Sequence, residues 1–303
     1  MKWLPHTSLT RIADLDRQDI DRLIAVAGQM AGARAPAISP LAGRIVATLF
    51  YEVSTRTRLS FESAAIRLGA QVISVADAAT SSVAKGETLA DTVRIVAGYA
   101  DAIVLRHPQE GAAHEAAVAL RGRTPLINGG DGAGEHPTQA LTDAYTLHQH
   151  FGRLDGLTVT FVGDLRYGRT VHSLAALFGS YALTAVQLVA PEGLDAPSDL
   201  TRSLGGAPVN RLPSLVEAAA TTDVLYITRI QHERLPAGAT LPDALQVDRA
   251  VLDALPASSV ILHPLPRKNE LPTVVDEDPR AIYFQQAANG VPMRMALLAH
   301  ALG

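Results

Sequence analysis

Apolar runs of strand length alternate with helix-length segments along the whole chain, and this alternation constrains the fold more than any other feature. Candidate strands at 44–50, 71–76, 102–106 and 124–128 form one series. Those at 157–163, 185–190, 224–230 and 259–264 form a second. The runs are near-continuous in Val, Ile, Leu and Ala, so both faces of each strand are buried. The gaps leave room for crossover helices, which predicts βαβ units and parallel sheets. The expected fold class is α/β: two domains, each a parallel sheet flanked by helices, joined by interdomain helices.

A length of 303 residues suits two domains. Residues 14–31 read as a helix with an apolar face from Leu15, Ile20, Leu23, Ile24 and Val26. Residues 136–151 read as another, with His136 at its cap and Pro137 at its first position. Phe151-Gly152-Arg153 breaks that pattern. The expected organisation is a first domain over 1–135, a linking helix over 136–151 and a second domain over 152–287. A C-terminal helix at about 288–303 is expected to pack back on the first domain. Its wider segment, 283–302, is helix-like, although Gly290 and Pro292 interrupt the pattern.

Composition narrows the chemistry. The chain has no cysteine, which excludes disulfides, thiolate catalysis and Cys-based metal sites. The net charge of −4 offers no global attraction for nucleic acid or an anionic membrane. No signal peptide and no run of transmembrane length are evident. A cytoplasmic location fits these features.

In open parallel sheets, ligands bind beyond the carboxyl ends of the strands. The first strand leads into Tyr51-Glu52-Val53-Ser54-Thr55-Arg56-Thr57-Arg58, just before a helical pattern from Leu59 to Leu68. A helix start favours an anion, hydroxyls add donors, and Arg adds a planar fork for phosphate. A lone Ser or Thr there would be a helix cap; the dense cluster points to a phosphate site. The second strand leads to a polar loop, Thr80-Ser81-Ser82-Val83-Ala84-Lys85, which alone reads as a solvated connection. The third ends at Arg106, whose buried charge needs an anion or an internal carboxylate. The fourth runs into a glycine-rich turn ending at His136, which is either a tight connection or a close approach to a ligand.

The second series repeats the theme. Gly163-Asp164-Leu165-Arg166-Tyr167-Gly168-Arg169 lacks the G-x-G-x-x-G spacing of a dinucleotide site. Thr228-Arg229-Ile230-Gln231 and His263-Pro264-Leu265-Pro266-Arg267 follow later strands. Arg56, Arg106, Arg169, Arg229 and Arg267 thus all follow strand ends in a slightly acidic protein. This predicts a cleft between two domains that binds more than one anionic group. With no strong metal cage evident, chemistry would rest on positioning and electrostatics.

These residues resemble a known family. S-T-R-T-R at 54–58, R-H-P-Q-E at 106–110, H-P-T-Q-x-L-x-D at 136–143 and H-P-L-P-R at 263–267 are similar to the motifs of the aspartate and ornithine carbamoyltransferases. The stretches 163–174, 228–234 and 284–290 look like its aspartate branch. The resemblance covers nearly the whole chain. It implies transfer of the carbamoyl group of carbamoyl phosphate to L-aspartate, a step of de novo pyrimidine biosynthesis, with no cofactor and no metal.

Carried over by residue, the resemblance assigns Ser54, Thr55, Arg56 and Thr57 to the phosphate of carbamoyl phosphate. Arg106, His136 and Thr57 would face the carbamoyl oxygen, Gln139 the carbamoyl amino group, and the backbone of Leu265 and Pro266 the substrate amino groups. Arg169, Arg229 and Gln231 would bind the carboxylates of aspartate. Ser81 and Lys85 match a loop inserted into a neighbouring subunit's site, where Ser81 would bind carbamoyl phosphate and Lys85 would bind aspartate and neutralise the leaving phosphate. This implies a homotrimer with shared sites and leaves room for regulatory or dihydroorotase partner chains. Arg56, Thr57, Lys85, Arg106 and His136 would carry the catalysis. Glu52, Arg169 and Arg234 match an interdomain polar network.

The sequence departs from the family pattern at His232, Asn269, Val83-Ala84 and the short segment 235–258. A different amine acceptor, such as ornithine, a nucleotide-binding dehydrogenase and a non-catalytic homologue are the competing readings. The absent cysteine argues against ornithine, and the glycine spacing argues against the dehydrogenase.

Overall fold

A computed structural model describes residues 2–31, 39–76, 85–230 and 245–303. The chain divides into two compact units, Met1–Tyr145 with Asn289–Gly303, and Thr146–Ala288.

The first unit opens with helix α1 (Arg17–Ala31). Its buried Asp19 receives the backbone N–H groups of Lys2 at 2.7 Å and Trp3 at 3.0 Å, tying down the N-terminal segment. The sheet holds β1 (Ile45–Phe50), β2 (Gln71–Val75), β3 (Ala102–His107) and β4 (Leu126–Asp131), in the order β2-β1-β3-β4. All pairings are parallel, with Val46 opposite both Val72 and Ala102. Crossovers run through α2 (Thr55–Arg67), α3 (Leu89–Val96) and α4 (Ala112–Leu120). β1 and β3 are apolar on both faces because helices cover both. The edge strand β2 is largely exposed, with Ile73 on its surface.

The second unit has β5 (Thr158–Val162), β6 (Ala185–Val189), β7 (Val209–Arg211), β8 (Val224–Ile227) and β9 (Val260–Leu262). The order is β7-β6-β5-β8-β9, again all parallel. Helices α6 (Arg169–Phe178), α7 (Ser198–Ser203), α8 (Leu215–Ala219) and α9 (Arg249–Ala254) connect them. Phe161 and Tyr226 pack edge to face at 5.7 Å in its buried core. Thr160 Oγ1 bonds both Gln187 and Thr222 at 2.8 Å, which satisfies three buried polar side chains together.

The division falls inside α5 (Pro137–Phe151) and α10 (Tyr283–Leu302), so each helix contributes to both units. The α/β class with two parallel sheets is as expected. Two features differ. β7 joins the second sheet although no strand signal is evident there in the sequence: it has three residues and two are exposed. α10 runs unbroken through Gly290 and Pro292, with apolar residues such as Met293, Leu297 and Leu298 buried along it. Burial of that face outweighs the single backbone bond that proline removes.

Candidate active site

In the first unit, the site residues collect at the carboxyl ends of β1, β3 and β4 and at the starts of α2 and α5. Ser54 occupies the N-cap of α2 with extended backbone, yet its side chain makes no capping hydrogen bond. The hydroxyl is therefore not consumed by the helix start. Thr55 and Arg56 are exposed on the first turn, and Thr57 is buried. Four backbone N–H groups at this start have no intrahelical acceptor, and the helix dipole adds positive potential.

Arg106 is positioned by an irregularity in the sheet. The β3–β4 register shifts between Leu105 and His107, where Leu105 faces Asn128 but His107 faces Asp131. The additional β4 residue lies in the Gly129-Gly130 pair, and bulges of this kind re-aim side chains. Arg106 Nη1 donates to the Gly129 carbonyl at 3.1 Å and stands 3.3 Å from His136 Nε2. Its Nη2 lies 3.2 Å from Glu52 Oε2. Gly129 has little room for a side chain, since a methyl there would sit 3.3 Å from the Leu105 carbonyl and 3.6 Å from Thr57 Cγ2. β3, β4 and the first turn of α2 are thus pressed together around Arg106.

His136 is buried at the start of α5. Arg106 can only donate, so in this arrangement Nε2 accepts and the ring proton sits on Nδ1, 3.5 Å from Thr138 Oγ1. Gln139, one turn on, donates from Nε2 to Asp143 Oδ1 at 2.7 Å. Lys85 lies exposed ahead of α3, whose start is capped by Thr88 accepting from the Asp91 backbone at 3.1 Å. Ser81, Gln231 and Arg234 lie outside the described residues.

In the second unit, Arg169 is buried at the first position of α6. Gly163 has φ +108° after β5, and a Cβ there would overlap the Thr228 carbonyl, so β5 and β8 approach as only glycine allows. Arg229 follows β8 and is half-buried. After β9, the Leu265 N–H donates to His263 Nδ1 at 2.8 Å. Nδ1 therefore accepts, and Nε2 carries the proton toward Glu270 Oε1 at 3.1 Å. Burial pushes the Glu270 carboxyl up, but hydrogen bonds from His263 and the Lys268 backbone outweigh this and hold it below the usual range. Leu265 itself has φ +56° and precedes a cis peptide bond to Pro266. Its N–H is committed to His263, which leaves its carbonyl as the acceptor at this turn.

One expectation is corrected. Arg267 does not join an anion site. It forks onto Asp276, with Nη2 to Oδ2 at 2.7 Å, and donates to the Tyr283 hydroxyl at 2.9 Å. An acid nine residues on satisfies it internally. The Glu52–Arg106 pair and the Gln139–Asp143 bond were not anticipated from the sequence. The acid four residues after Gln139 on one helix face was the available signal for the second. Among the described residues, no cluster of His, Asp or Glu is placed to hold a metal ion.

Comparison with known proteins decides the family. The carbamoyl-P binding domain of the aspartate/ornithine carbamoyltransferases matches residues 7–149, and their Asp/Orn binding domain matches 155–301. The chain belongs to the aspartate/ornithine carbamoyltransferase family. Within that family, it is 48% identical over 296 residues to an aspartate carbamoyltransferase catalytic subunit of Methanospirillum hungatei, covering 95% of this chain and 96% of the relative. It is 45% identical to that of Picrophilus torridus, with 99% of each chain covered. Among solved structures, the Trypanosoma cruzi aspartate transcarbamoylase with N-(phosphonacetyl)-L-aspartic acid superposes with a TM-score of 0.92 at 41% identity, covering 100% of this carbamoyltransferase chain and 98% of that one. The same enzyme with carbamoyl aspartate and phosphate gives 0.90 at 41% identity, covering 99% and 97%.

Proposed function

We infer that this chain is an aspartate carbamoyltransferase. It transfers the carbamoyl group of carbamoyl phosphate to L-aspartate, giving N-carbamoyl-L-aspartate and phosphate. The observation that carries this reading is the Arg106 arrangement beside the open start of α2, in a chain this similar to enzymes of that name.

The first unit binds carbamoyl phosphate. Ser54, Thr55, Arg56 and Thr57 hold its phosphate at the α2 start, where hydroxyls, N–H groups and a guanidinium are together. Ser54's uncommitted hydroxyl supports this. Arg106 and Thr57 direct donors at the carbamoyl oxygen. His136 joins them when its proton is on Nε2, Arg106 then turning its N–H to the substrate. Gln139 receives the carbamoyl amino group. The second unit binds aspartate through Arg169, Arg229 and Gln231, and the Leu265 and Pro266 backbone meets the substrate amino groups.

The α-amino group, deprotonated, attacks the carbonyl carbon. A C–N bond forms and the carbonyl electrons move to oxygen, giving a tetrahedral oxyanion. The oxyanion collapses, and the bond to the phosphate oxygen breaks with its electron pair. The departing phosphate takes the amine proton. Each donor aimed at the oxyanion contributes about 3 kcal/mol to the barrier reduction. Arg56 and Lys85 neutralise the leaving phosphate.

The chain acts in the cytoplasm as a homotrimer in which Ser81 and Lys85 enter a neighbouring chain's site. Two features favour the trimer. Lys85 is exposed on a single chain. Leu59 and Ile66 on α2, Ile73 on β2, and Ile95 and Tyr99 at α3 place large apolar side chains on the first unit's surface, which a second copy would cover.

The decisive experiment is a colorimetric ureido assay with carbamoyl phosphate and either L-aspartate or L-ornithine. Ureido product with aspartate and none with ornithine supports the reading. The reverse result, or none with either, overturns it.

A further inference from the structure

Gln139 is half-buried at the α5 start, and its amide is not free to choose an orientation. Asp143 Oδ1 accepts a hydrogen bond of 2.7 Å from it, and a carboxylate only accepts. The amide nitrogen must therefore face Asp143, which leaves Oε1 pointing away from it. Oε1 takes no hydrogen bond from the described residues. An amide so held presents Oε1 as its acceptor on the side away from Asp143.

Asp143 is wholly buried, and a buried carboxylate needs nearby positive charge. Arg294 on α10 supplies it. That guanidinium is buried and lies 5.1 Å above the Phe61 ring on α2, and its Nε has no hydrogen-bond partner among the described residues. Burial pulls Arg294 down to about 10, against the attraction of the Asp143 carboxylate, and it remains cationic at neutral pH. Gly290 makes room for it: a Cβ there would overlap Arg294 Nη1. Arg294 thus fits between Phe61 on α2 and Asp143 on α5, the two helices whose starts carry the proposed carbamoyl phosphate residues.

We propose that Asp143 is a positioning residue that orients the Gln139 amide with Oε1 presented as an acceptor, so that the site selects an acyl phosphate bearing an amino group over one bearing a methyl group. This rests on the reading that Gln139 meets the carbamoyl amino group. With Asp143 in place, Oε1 accepts from the substrate NH2. Without it, the amide can rotate and present its own NH2, which a carbamoyl amino group cannot accept from.

The test compares carbamoyl phosphate with acetyl phosphate, which share the phosphate and carbonyl and differ at NH2 against CH3. Dissociation constants for both are measured by calorimetry on native enzyme, Asp143→Leu and Gln139→Ala. In Asp143→Leu, which has no acceptor, the preference for carbamoyl phosphate should fall about tenfold, the scale of one hydrogen bond, while acetyl phosphate affinity stays within about twofold. Equal weakening of both ligands would mean a structural role only and overturns the proposal. If Gln139→Ala lowers the preference but Asp143→Leu does not, Gln139 reads the amino group without Asp143, and the positioning role falls alone. If Gln139→Ala leaves the preference intact, the reading of Gln139 fails and takes the inference with it. Should Asp143→Leu not melt cooperatively, the smaller Asp143→Ser replaces it. In native enzyme, ¹⁵N-glutamine labelling adds a check: the Gln139 side-chain NH2 should be protected from solvent exchange, and exchange as fast as a surface glutamine overturns the proposal.

Discussion

Arg106 and Glu52 form an ion pair at 3.2 Å, with the arginine almost wholly buried and the acid partly so. The same guanidinium donates to Gly129 and His136, so a fork of donors fixes its direction. A lysine has a compact charge and cannot span these partners together. Arg106→Lys should therefore lower kcat by about 10²-fold, the scale of losing one preorganised donor. Steady-state kinetics checks this; kcat within about threefold of native would remove Arg106 from the catalytic set.

Arg56 is exposed on the first turn of α2, where a substitution has little packing to disturb. Arg56→Ala should leave the melting temperature within about 2 °C and reduce turnover by orders of magnitude. Near-normal turnover would refute its phosphate role.

Ser54 separates a cap from a ligand-binding hydroxyl. An ordinary N-cap serine replaced by alanine costs about 1 kcal/mol. Ser54 makes no cap hydrogen bond, so Ser54→Ala should change stability by less than about 0.5 kcal/mol while raising the KM for carbamoyl phosphate. Urea unfolding and carbamoyl phosphate titrations read the two effects separately. A full capping loss with an unchanged KM would return Ser54 to a structural role.

The Glu270 carboxyl is held below its unfolded value, chiefly by hydrogen bonds that offset its burial. A depressed acid stabilises the fold above its unfolded pKa, and that contribution is lost as pH falls through the folded pKa. Melting temperature should thus decline below the ordinary value of 4.5, and Glu270→Gln should flatten that decline while lowering stability at pH 7. Melts across pH 3–7 test this; an acid limb unchanged by the substitution would show that other carboxyls set it.

Lys85→Ala and Arg56→Ala, each inactive alone, should recover activity when mixed after subunit exchange, because some sites then carry neither defect. No recovery with exchange demonstrated would count against sites shared between chains.

The sheets were legible because buried parallel strands are near-continuous apolar runs, as in Ile45–Phe50 and Val224–Ile227. Val209–Arg211 was not, since an exposed three-residue edge carries no such run. α2 begins at Thr55, four residues before the apolar pattern, because its first turn, Thr55 to Arg58, is built of polar side chains. The arginines were visible as a group, but their partners were not. Arg106 meets Glu52 across 54 positions and Arg267 meets Asp276 across nine, and only folding separates a ligand-facing cation from a satisfied one. The bulge at Gly129-Gly130 was equally hidden, as two glycines suit a tight connection just as well.

Leu265 holds a left-handed backbone, at φ +56°, that a branched side chain resists by about 1–2 kcal/mol. Glycine would relax there, and the peptide would be freer to swing. Keeping leucine, with His263 gripping its amide from behind, makes that carbonyl a stiff pointer. Variants that raise thermal tolerance by relieving this residue should therefore emerge as poorer enzymes, and a stability screen run without an activity screen would select them.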